Sequence, residues 1–411
     1  MYKYFGTDGI RANHDYFVNN NFSSYFGKAI GLLDYDNIYI GYDTRCSSQT
    51  ICYYIIAGIL STGKNVHLLD IASTPCVQFY SLINKTLGIC VTASHNKYSD
   101  NGIKVFINGV KIDNELILNI ENSLDNLINN NFDLLVTNYG KLHRKSIFEY
   151  LQFLKEKTSF TKYYLLDTAN GACSYIGQYV FDNLINNKPN GININYSCGP
   201  TNLLNLKKHL NKFEYIFSVD GDGDRINIID DELNIYTGDI LLYLINKYKV
   251  KSDKVVLSKM TNKGVIDLFE KDNVKVFLSD VGDTALYNKM IETSSILGAE
   301  PSGHIINLSN VCFGDGLLNA LDIVNIINTN NLNLKDIYKT INLYHELNRN
   351  FIGLSLDEVK KITNILNNTL DIYYVFRKSG TENLYRLYLC SNNINNINNV
   401  IKLIEKEVKN E

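Results

Sequence analysis

The sequence has no tryptophan, only 4 prolines and no long run of apolar residues. A membrane-spanning helix needs roughly 18 or more consecutive apolar residues, and no segment of the chain supplies them. The opening stretch, MYKYFGTDGIRA, lacks the apolar centre of a secretory signal. We therefore expect a cytoplasmic protein with no membrane partner.

Neither sign of charge is in excess, and the cysteines show no metal-binding spacing. The formal net charge is -3, so bulk attraction to nucleic acid is not expected, and any bound anion must be held by a local cluster. The 8 cysteines form no C-x-x-C pair. We expect them to be free thiols in a reducing compartment.

The 411 residues suit about two to four domains, and 45% hydrophobic with 20% charged residues is typical of globular proteins. Apolar runs such as Asn37–Tyr42, Leu87–Thr92 and Tyr215–Val219 indicate buried strands, and helical patterns lie between such runs. The last unit reads strand, helix (Leu356–Asn367), strand, turn, strand, helix. The patterns predict an α/β protein with four units, bounded at 1–155, 156–238, 239–345 and 346–411.

The segment DGDGDR, which begins at Asp220, gives the strongest local signal. Its glycines allow a tight loop to turn Asp220, Asp222 and Asp224 towards one point, and carboxylate oxygens suit magnesium, calcium or manganese. An EF-hand loop would need Gly and Glu where this chain has Arg225 and Asp231. A solvated acidic turn is the other alternative, although three unpaired carboxylates repel one another without a cation. We predict a metal site.

Three other polar segments carry a weaker signal. Ser94 follows a strand, where α/β proteins place ligands, so its hydroxyl could carry a phosphoryl group or simply cap a helix. Lys104 could act as a general acid/base if burial near other cations lowered its pKa, but a surface lysine is the simpler interpretation. Arg11 could reach an anion, or the glycine-containing segment before it could merely form a hairpin turn.

Two motifs in the second half of the chain suit a phosphosugar. Glu300–His304 (EPSGH) supplies a carboxylate, a hydroxyl and an imidazole for sugar hydroxyls, unless it is a loop with a core-facing histidine. Arg377–Thr381 (RKSGT) combines two cations, two hydroxyls and a glycine between two predicted strands, with Arg386 on the second. Guanidinium, hydroxyl and backbone N–H groups bind phosphate monoesters, which favours a phosphate site over a bare hairpin.

Taken together, these motifs resemble the α-D-phosphohexomutase superfamily. FGTDGIRA, TASHNKYSDNGIK, DGDGDR, EPSGH and RKSGTE follow in this order from Phe5 to Arg386, and their forms are most similar to the phosphoglucosamine mutase branch. The resemblance implies four domains around a central cleft. Three related mixed α/β domains would carry, in order, the phosphoserine, metal and sugar-binding loops, and a smaller C-terminal α+β domain would bind phosphate.

The resemblance also implies a role for each motif residue. Magnesium would be bound by the side chains of Ser94, Asp220, Asp222 and Asp224, with Ser94 also carrying the phosphate. The other residues implied at the reacting end are Arg11, His95, Lys104, Arg225 and His304. The remaining substrate-binding residues would be Glu300 and Ser302 for sugar hydroxyls, and Arg377, Ser379, Gly380 and Thr381 for the phosphate that is not reacting.

The implied activity is that of an isomerase. Phospho-Ser94 would give its phosphoryl group to glucosamine 6-phosphate, which yields glucosamine 1,6-bisphosphate as intermediate and activator. This bisphosphate would reorient in the site and return its other phosphate to Ser94. The product, glucosamine 1-phosphate, would feed UDP-N-acetylglucosamine synthesis. The expected partner is this small phosphosugar, with the protein a monomer or homodimer and no nucleic acid bound. Alternatives are a mutase for glucose or mannose phosphates, a non-catalytic sugar-phosphate-binding relative and a calcium-binding structural protein.

The serine loop departs from the family pattern at one position. Lys97 stands where the family has proline after the SHN triplet. Because proline would restrict the backbone, this departure leaves open what makes the loop rigid.

Overall fold

The computed structural model describes residues 2–6, 8–130, 139–379 and 384–408, apart from the side chain of Asn20. Four β-sheets follow one another along the chain, each accompanied by helices. Within the described ranges, no helix is both long enough and apolar enough to cross a membrane.

The first sheet has 7 strands in the order β1-β5-β4-β2-β3-β7, with β6 paired to β5. Its strands are β1 (Ile10–Asn13), β2 (Asn37–Tyr42), β3 (Asn65–Ile71), β4 (Leu87–Val91), β5 (Asp100–Ile107), β6 (Val110–Lys111) and β7 (Leu142–Arg144). Its helices are α1 (His14–Val18), α2 (Phe22–Gly31), α3 (Ser48–Leu60), α4 (Thr74–Ile83), α5 (Asn114–Asn129) and α6 (Phe148–Lys155). Because β2 and β4 are parallel and adjacent, the loops after Tyr42 and Val91 leave the same edge of the sheet.

The second sheet has the order β12-β11-β10-β8-β9. Its elements are β8 (Tyr164–Asp167), α7 (Cys173–Ile176), β9 (Asn183–Ile185), β10 (Tyr215–Val219), β11 (Ile226–Asp230) and β12 (Ile235–Tyr236). The fully buried β10 pairs antiparallel with β11, and Val219 lies opposite Ile226. The triple-aspartate segment is therefore the tight connection between two neighbouring strands.

The third sheet has the order β14-β13-β15-β16. Its elements are α8 (Gly238–Ile245), β13 (Lys254–Ser258), α9 (Lys263–Lys271), β14 (Lys275–Ser279), α10 (Asp283–Thr293), β15 (Leu297–Ala299), β16 (Ile305–Asn307), α11 (Gly316–Asn330) and α12 (Leu334–Tyr338). Since Ala299 and Ile305 are paired across antiparallel β15 and β16, the EPSGH segment forms the turn between these two strands.

The fourth sheet is antiparallel and has the order β17-β19-β18. Its elements are β17 (His345–Ile352), α13 (Leu356–Asn367), β18 (Tyr373–Lys378), β19 (Leu384–Ser391) and α14 (Ile394–Glu407). Helix α13 begins with a capping box, in which Ser355 and Glu358 bond each other's backbone N–H groups and so satisfy two donors that the helix leaves free. The RKSGTE segment begins within β18, whose last two residues are Arg377 and Lys378, and its residues from Gly380 onwards lie outside the described residues.

The hydrophobic core is continuous across the first three sheets. One buried cluster includes Tyr80, Phe217 and Leu257, which come from the first, second and third of these units. The fourth unit has its own smaller cluster, with Leu389 and Ile404 among its buried members. The predicted fold class, α/β with a smaller C-terminal α+β unit, is confirmed, while the predicted domain boundaries stay a prediction.

Candidate active site

A cleft of about 830 Å³ is lined by residues from all four sheets, either in their strands or in the segments next to them. The predicted site residues in its lining are Arg11, His95, Asp224, Arg225, Glu300, Ser302, His304, Arg377 and Ser379. Ser94, Lys104, Asp220 and Asp222 are buried and lie next to residues of that lining. Gly380 and Thr381 lie outside the described residues. The fold thus brings together motifs that are hundreds of residues apart in the chain.

Ser94 is held in a strained conformation that aims its hydroxyl at the loop of residues 220–224, the predicted metal-binding loop (hereafter the metal loop). Its φ of 51° lies in the left-handed region, which is sparsely populated by residues other than glycine. The Ser94 Oγ donates to Oδ2 of Asp220 at 2.7 Å, and its backbone N–H donates to the Thr92 hydroxyl at 3.0 Å. A strained, buried hydroxyl beside a carboxylate is typical of a functional position rather than of a helix cap.

Arg45, to which the sequence analysis assigned no role, fixes the backbone of the serine loop, residues 94–97. Its guanidinium donates to the carbonyl of Ser94 at 2.9 Å and to the carbonyl of Asn96 at 3.0 Å. It also donates to the Lys97 carbonyl and pairs with Asp43 at 2.9 Å. Five N–H donors in a planar fork can bind several carbonyls at once, so the loop is held without the proline that Lys97 replaces.

The three aspartates of the metal loop converge as predicted. One carboxylate oxygen from each of Asp220, Asp222 and Asp224 lies within 4.8 Å of the others, and all three residues are buried. Oδ1 of Asp222 and Oδ1 of Asp224 have no hydrogen-bond partner among the described residues. Burial, followed by the two neighbouring carboxylates, raises the pKa of Asp220 well above its usual value. Crowded oxygen ligands with unused lone pairs fit a hard divalent cation.

A glycine allows the metal loop and the serine loop to approach closely. A Cβ on Gly221 would lie only 2.7 Å from the carbonyl oxygen of Ser94. Asn195 closes the same junction, because its side-chain amide donates to that carbonyl at 2.8 Å. The alternation of glycine and aspartate in this loop therefore meets two requirements. The aspartates bring three carboxylates together, and Gly221 lets the backbone between them pass next to Ser94.

The pKa of Lys104 is shifted in the direction opposite to the one its general-acid/base role requires. Its ammonium lies 2.7 Å from Asp222, 3.0 Å from Asp224 and 3.4 Å from Asp8. Burial opposes the charged form, but these carboxylates outweigh it and raise the pKa of Lys104 well above its usual value. The sequence suggested general acid/base chemistry for Lys104 only if neighbouring cations lowered its pKa, and the groups it pairs with are carboxylates instead. In this structure Lys104 is a buried cation that is held by three carboxylates.

The Ser94 hydroxyl bonds Asp220 rather than His95, whose environment disfavours the protonated form. Burial, followed by the charges of Arg225 and Arg11, lowers the pKa of His95 to about 3. Its Nδ1 has no hydrogen-bond partner among the described residues, and the hydroxyl of Ser94 bonds Asp220 instead. Ser94 and His95 therefore do not form a serine–histidine pair in this structure.

Two arginines place positive charge at this end of the cleft. Arg11 pairs with Asp8, and its guanidinium reaches the side-chain oxygen of Asn96 at 3.4 Å. Arg225 forms a backbone bridge with His304, which joins the metal loop to the end of the EPSGH turn. Its Nε has no hydrogen-bond partner among the described residues, so it can donate to an anion.

The EPSGH turn presents polar groups to the middle of the cleft. Oε1 of Glu300 accepts the backbone N–H of Gly282 at 2.8 Å, which orients the carboxylate. The buried hydroxyl of Ser302 has no hydrogen-bond partner among the described residues, so it can bond a ligand hydroxyl.

The fourth sheet places two guanidinium groups at the far side of the cleft. Arg377 and Arg386 lie opposite each other in the pairing of β18 with β19, and both line the cleft. Burial and the neighbouring charge of Arg386 lower the pKa of Arg377. Two facing cations repel each other unless an anion lies between them, so this arrangement suits a phosphate.

An ion-pair network that the sequence did not reveal ties the first unit to the third. The Lys111 ammonium contacts Asp8 and lies 2.5 Å from Asp283, the first residue of α10. Asp8 in turn contacts Arg11 and Lys104. Asp8 belongs to the FGTDGIR motif, but neither Lys111 nor Asp283 lies in a recognisable pattern. The network fixes the Arg11 segment against the third unit.

Known proteins resemble the chain over its whole length. The family models "Phosphoglucomutase/phosphomannomutase, alpha/beta/alpha domain I" and "domain III" match residues 2–131 and 237–344, which together exceed half of the chain. A phosphoglucosamine mutase of Thermotoga sp. (strain RQ2) is 33% identical over 94% of either chain.

Two solved structures share the fold. A phosphoglucomutase/phosphomannomutase family protein from Burkholderia thailandensis matches 98% of this chain and 96% of its own, with a TM-score of 0.81 and 18% identity. The N-acetylphosphoglucosamine mutase of Aspergillus fumigatus, solved with GlcNAc-6P and magnesium, matches 100% of this chain and 96% of its own, with a TM-score of 0.67 and 14% identity.

Proposed function

The chain belongs to the phosphoglucomutase/phosphomannomutase family of the α-D-phosphohexomutase superfamily and is a mutase, and we propose that it interconverts glucosamine 6-phosphate and glucosamine 1-phosphate. The observation that carries this proposal is the contact between the Ser94 hydroxyl and Asp220, in a cleft whose far side holds two arginines. The phosphoglucosamine mutases among its relatives favour an amino sugar as the substrate.

In the proposed reaction Ser94 carries the phosphoryl group. The O–P bond at Ser94 breaks as a new O–P bond forms to a sugar hydroxyl; that hydroxyl gives up its proton, and the Ser94 oxygen gains one and is released as a hydroxyl group. Phosphoryl transfer depends mainly on positioning and on neutralising charge, which Arg11, Arg225 and Lys104 supply at this end of the cleft. Asp220, Asp222 and Asp224 would hold magnesium, with the phosphate on Ser94 as a further ligand. When bound, the ion would polarise the oxygens of the phosphoryl group that is transferred.

The bisphosphate intermediate must then bind in two orientations. Its second phosphate returns to Ser94 only after the sugar has turned, so the far side of the cleft has to accept either phosphate. Arg377, Arg386 and Ser379 form a grip that recognises phosphate itself and not its position on the sugar. Glu300 and Ser302 lie between the two ends, where they can bond the sugar hydroxyls in both orientations.

Arg377→Ala is expected to raise the KM for either monophosphate roughly tenfold to a hundredfold, because a charged hydrogen bond contributes about 1.5–3 kcal/mol. Turnover should fall as well, since the intermediate must be held while it turns. Arg377→Lys keeps the charge but loses the planar fork, so steady-state kinetics should place it between the wild type and the alanine variant. An unchanged KM in the alanine variant would show that the phosphate is held elsewhere.

The main alternative is a mutase of the same family for glucose or mannose phosphates. A direct test measures kcat/KM of the purified protein for the 1-phosphates of glucosamine, glucose and mannose under identical conditions. We expect glucosamine 1-phosphate to give the highest value. A higher value for glucose or mannose 1-phosphate would contradict the proposed substrate while leaving the family assignment intact.

A further inference from the structure

The cleft carries a carboxylate that the reaction described so far does not use. We propose that Glu346 recognises the ammonium group at C2 of a glucosamine phosphate and thereby selects amino sugars over neutral hexose phosphates. This inference rests on the proposed function, because it concerns how the same site chooses its substrate.

Glu346 lies on the face of the fourth sheet that carries the phosphate grip. On β17, Glu346 and Asn348 are two residues apart, and on β19 their partners are Cys390 and Tyr388. Because side chains alternate along a strand, Glu346 and Asn348 share one face with Tyr388 and Arg386. The four side chains Glu346, Asn348, Tyr388 and Arg386 all line the cleft. A sugar whose phosphate is held by the arginines would therefore lie against the same surface as Glu346.

The other cleft-lining carboxylates already have partners. Asp8 and Asp283 pair with Lys111, Asp224 pairs with Lys104, Asp100 accepts the Asn96 amide at 3.1 Å, and Glu300 accepts the backbone N–H of Gly282. Most of these partners are cations or backbone groups of the site itself. These carboxylates are thus accounted for by the architecture of the cleft.

Glu346 differs, because its partner is a neutral phenol. The Tyr388 hydroxyl donates to Oε1 of Glu346 at 2.5 Å, and in the part of the chain that the structure describes no lysine, arginine or histidine lies within 4.0 Å of its carboxylate oxygens. Tyr388 itself is buried, so it holds the carboxylate in place. The Glu346 side chain is exposed and can meet a ligand.

An uncompensated carboxylate in a phosphosugar cleft repels the substrate's phosphate groups. A positive charge on the substrate itself, next to the carboxylate, offsets this repulsion. An amino sugar phosphate carries an ammonium group, whereas glucose and mannose phosphates carry a neutral hydroxyl at the same carbon. A carboxylate at this position thus attracts amino sugar phosphates and disfavours neutral hexose phosphates. One side chain then both favours the correct substrate and rejects the wrong one.

The test compares wild type with Glu346→Gln, which removes the charge but keeps an oxygen for the Tyr388 hydroxyl. The ratio of kcat/KM for glucosamine 1-phosphate to that for glucose 1-phosphate should fall about tenfold or more, with the value for glucose 1-phosphate unchanged or higher. Glu232→Gln, which removes an exposed carboxylate outside the cleft lining, should leave the ratio unchanged.

Calorimetric binding of the two 6-phosphates to both proteins separates this inference from the proposed function. Glu346→Gln should weaken binding of glucosamine 6-phosphate but not of glucose 6-phosphate. Equal losses for both sugars, or no loss for either, would overturn the role of Glu346 and leave it as a partner of Tyr388 alone. A wild type that turns over only neutral hexose phosphates would instead overturn the proposed function.

Discussion

Ser94→Ala is expected to abolish interconversion of the two monophosphates, lowering turnover more than about a thousandfold. The reason is that neither of the two hydroxyls nearest to it in the loop, those of Thr92 and Ser99, can replace it. The Thr92 hydroxyl donates to Asp43 at 2.7 Å and is buried at the end of β4. Ser99 lies beyond the loop, where its carbonyl accepts the backbone N–H of His14. The measurement is a coupled assay in both directions at saturating substrate.

The matched control for this prediction is Ser99→Ala, which removes a hydroxyl from the same loop region and should retain near wild-type turnover. Thermal unfolding should show that both variants stay folded, since Arg45 holds the loop through backbone carbonyls and not through the serine side chain. A Ser94→Ala protein with near wild-type turnover would exclude a phosphoserine mechanism.

Asp222→Asn is expected to lower turnover roughly a hundredfold or more without unfolding the protein. The aspartate carries one of the unused buried oxygens of the metal loop and also pairs with Lys104 at 2.7 Å. Asparagine keeps an oxygen for the Thr74 hydroxyl, which lies 2.6 Å away, so the packing is preserved while the charge is lost. Turnover should be measured across a magnesium titration after chelation with EDTA.

Magnesium should restore the chelated wild type but not the Asp222→Asn variant. Asp231→Asn is a suitable control, because Asp231 is an exposed aspartate beyond the far end of β11 that pairs with Lys335 at 2.5 Å. It should respond to magnesium like the wild type. Full activity after exhaustive chelation would show that the three aspartates serve some purpose other than metal binding.

The fold could be predicted where a local pattern decides the structure. The strands Asn37–Tyr42 and Tyr215–Val219 and the helix Leu356–Asn367 have the bounds that the sequence predicted. The helix Gly316–Asn330 was not identified, and its residues from Gly316 to Val324 are all buried. A helix buried on every side carries no apolar stripe, so its sequence lacks the period by which helices are recognised.

The site could be predicted only where its residues are close together in the sequence. Asp220, Asp222 and Asp224 form one loop, so their convergence was expected. Arg45 and Lys111 lie outside the motifs from which the site was predicted, and only the fold shows what they contact. The environment of Lys104 was misjudged for the same reason, because its carboxylate partners lie 118 and 120 residues away in the chain.

The most direct test of the central claim, that Ser94 carries the phosphate, is mass spectrometry of the protein after incubation with a hexose 1,6-bisphosphate. Wild type should gain the mass of one phosphate, and peptide mapping should place it between Val91 and Lys104 on Ser94. Ser94→Ala, treated in parallel, should gain none. An active wild type that stays unmodified, or that carries the phosphate on another residue, would contradict the account.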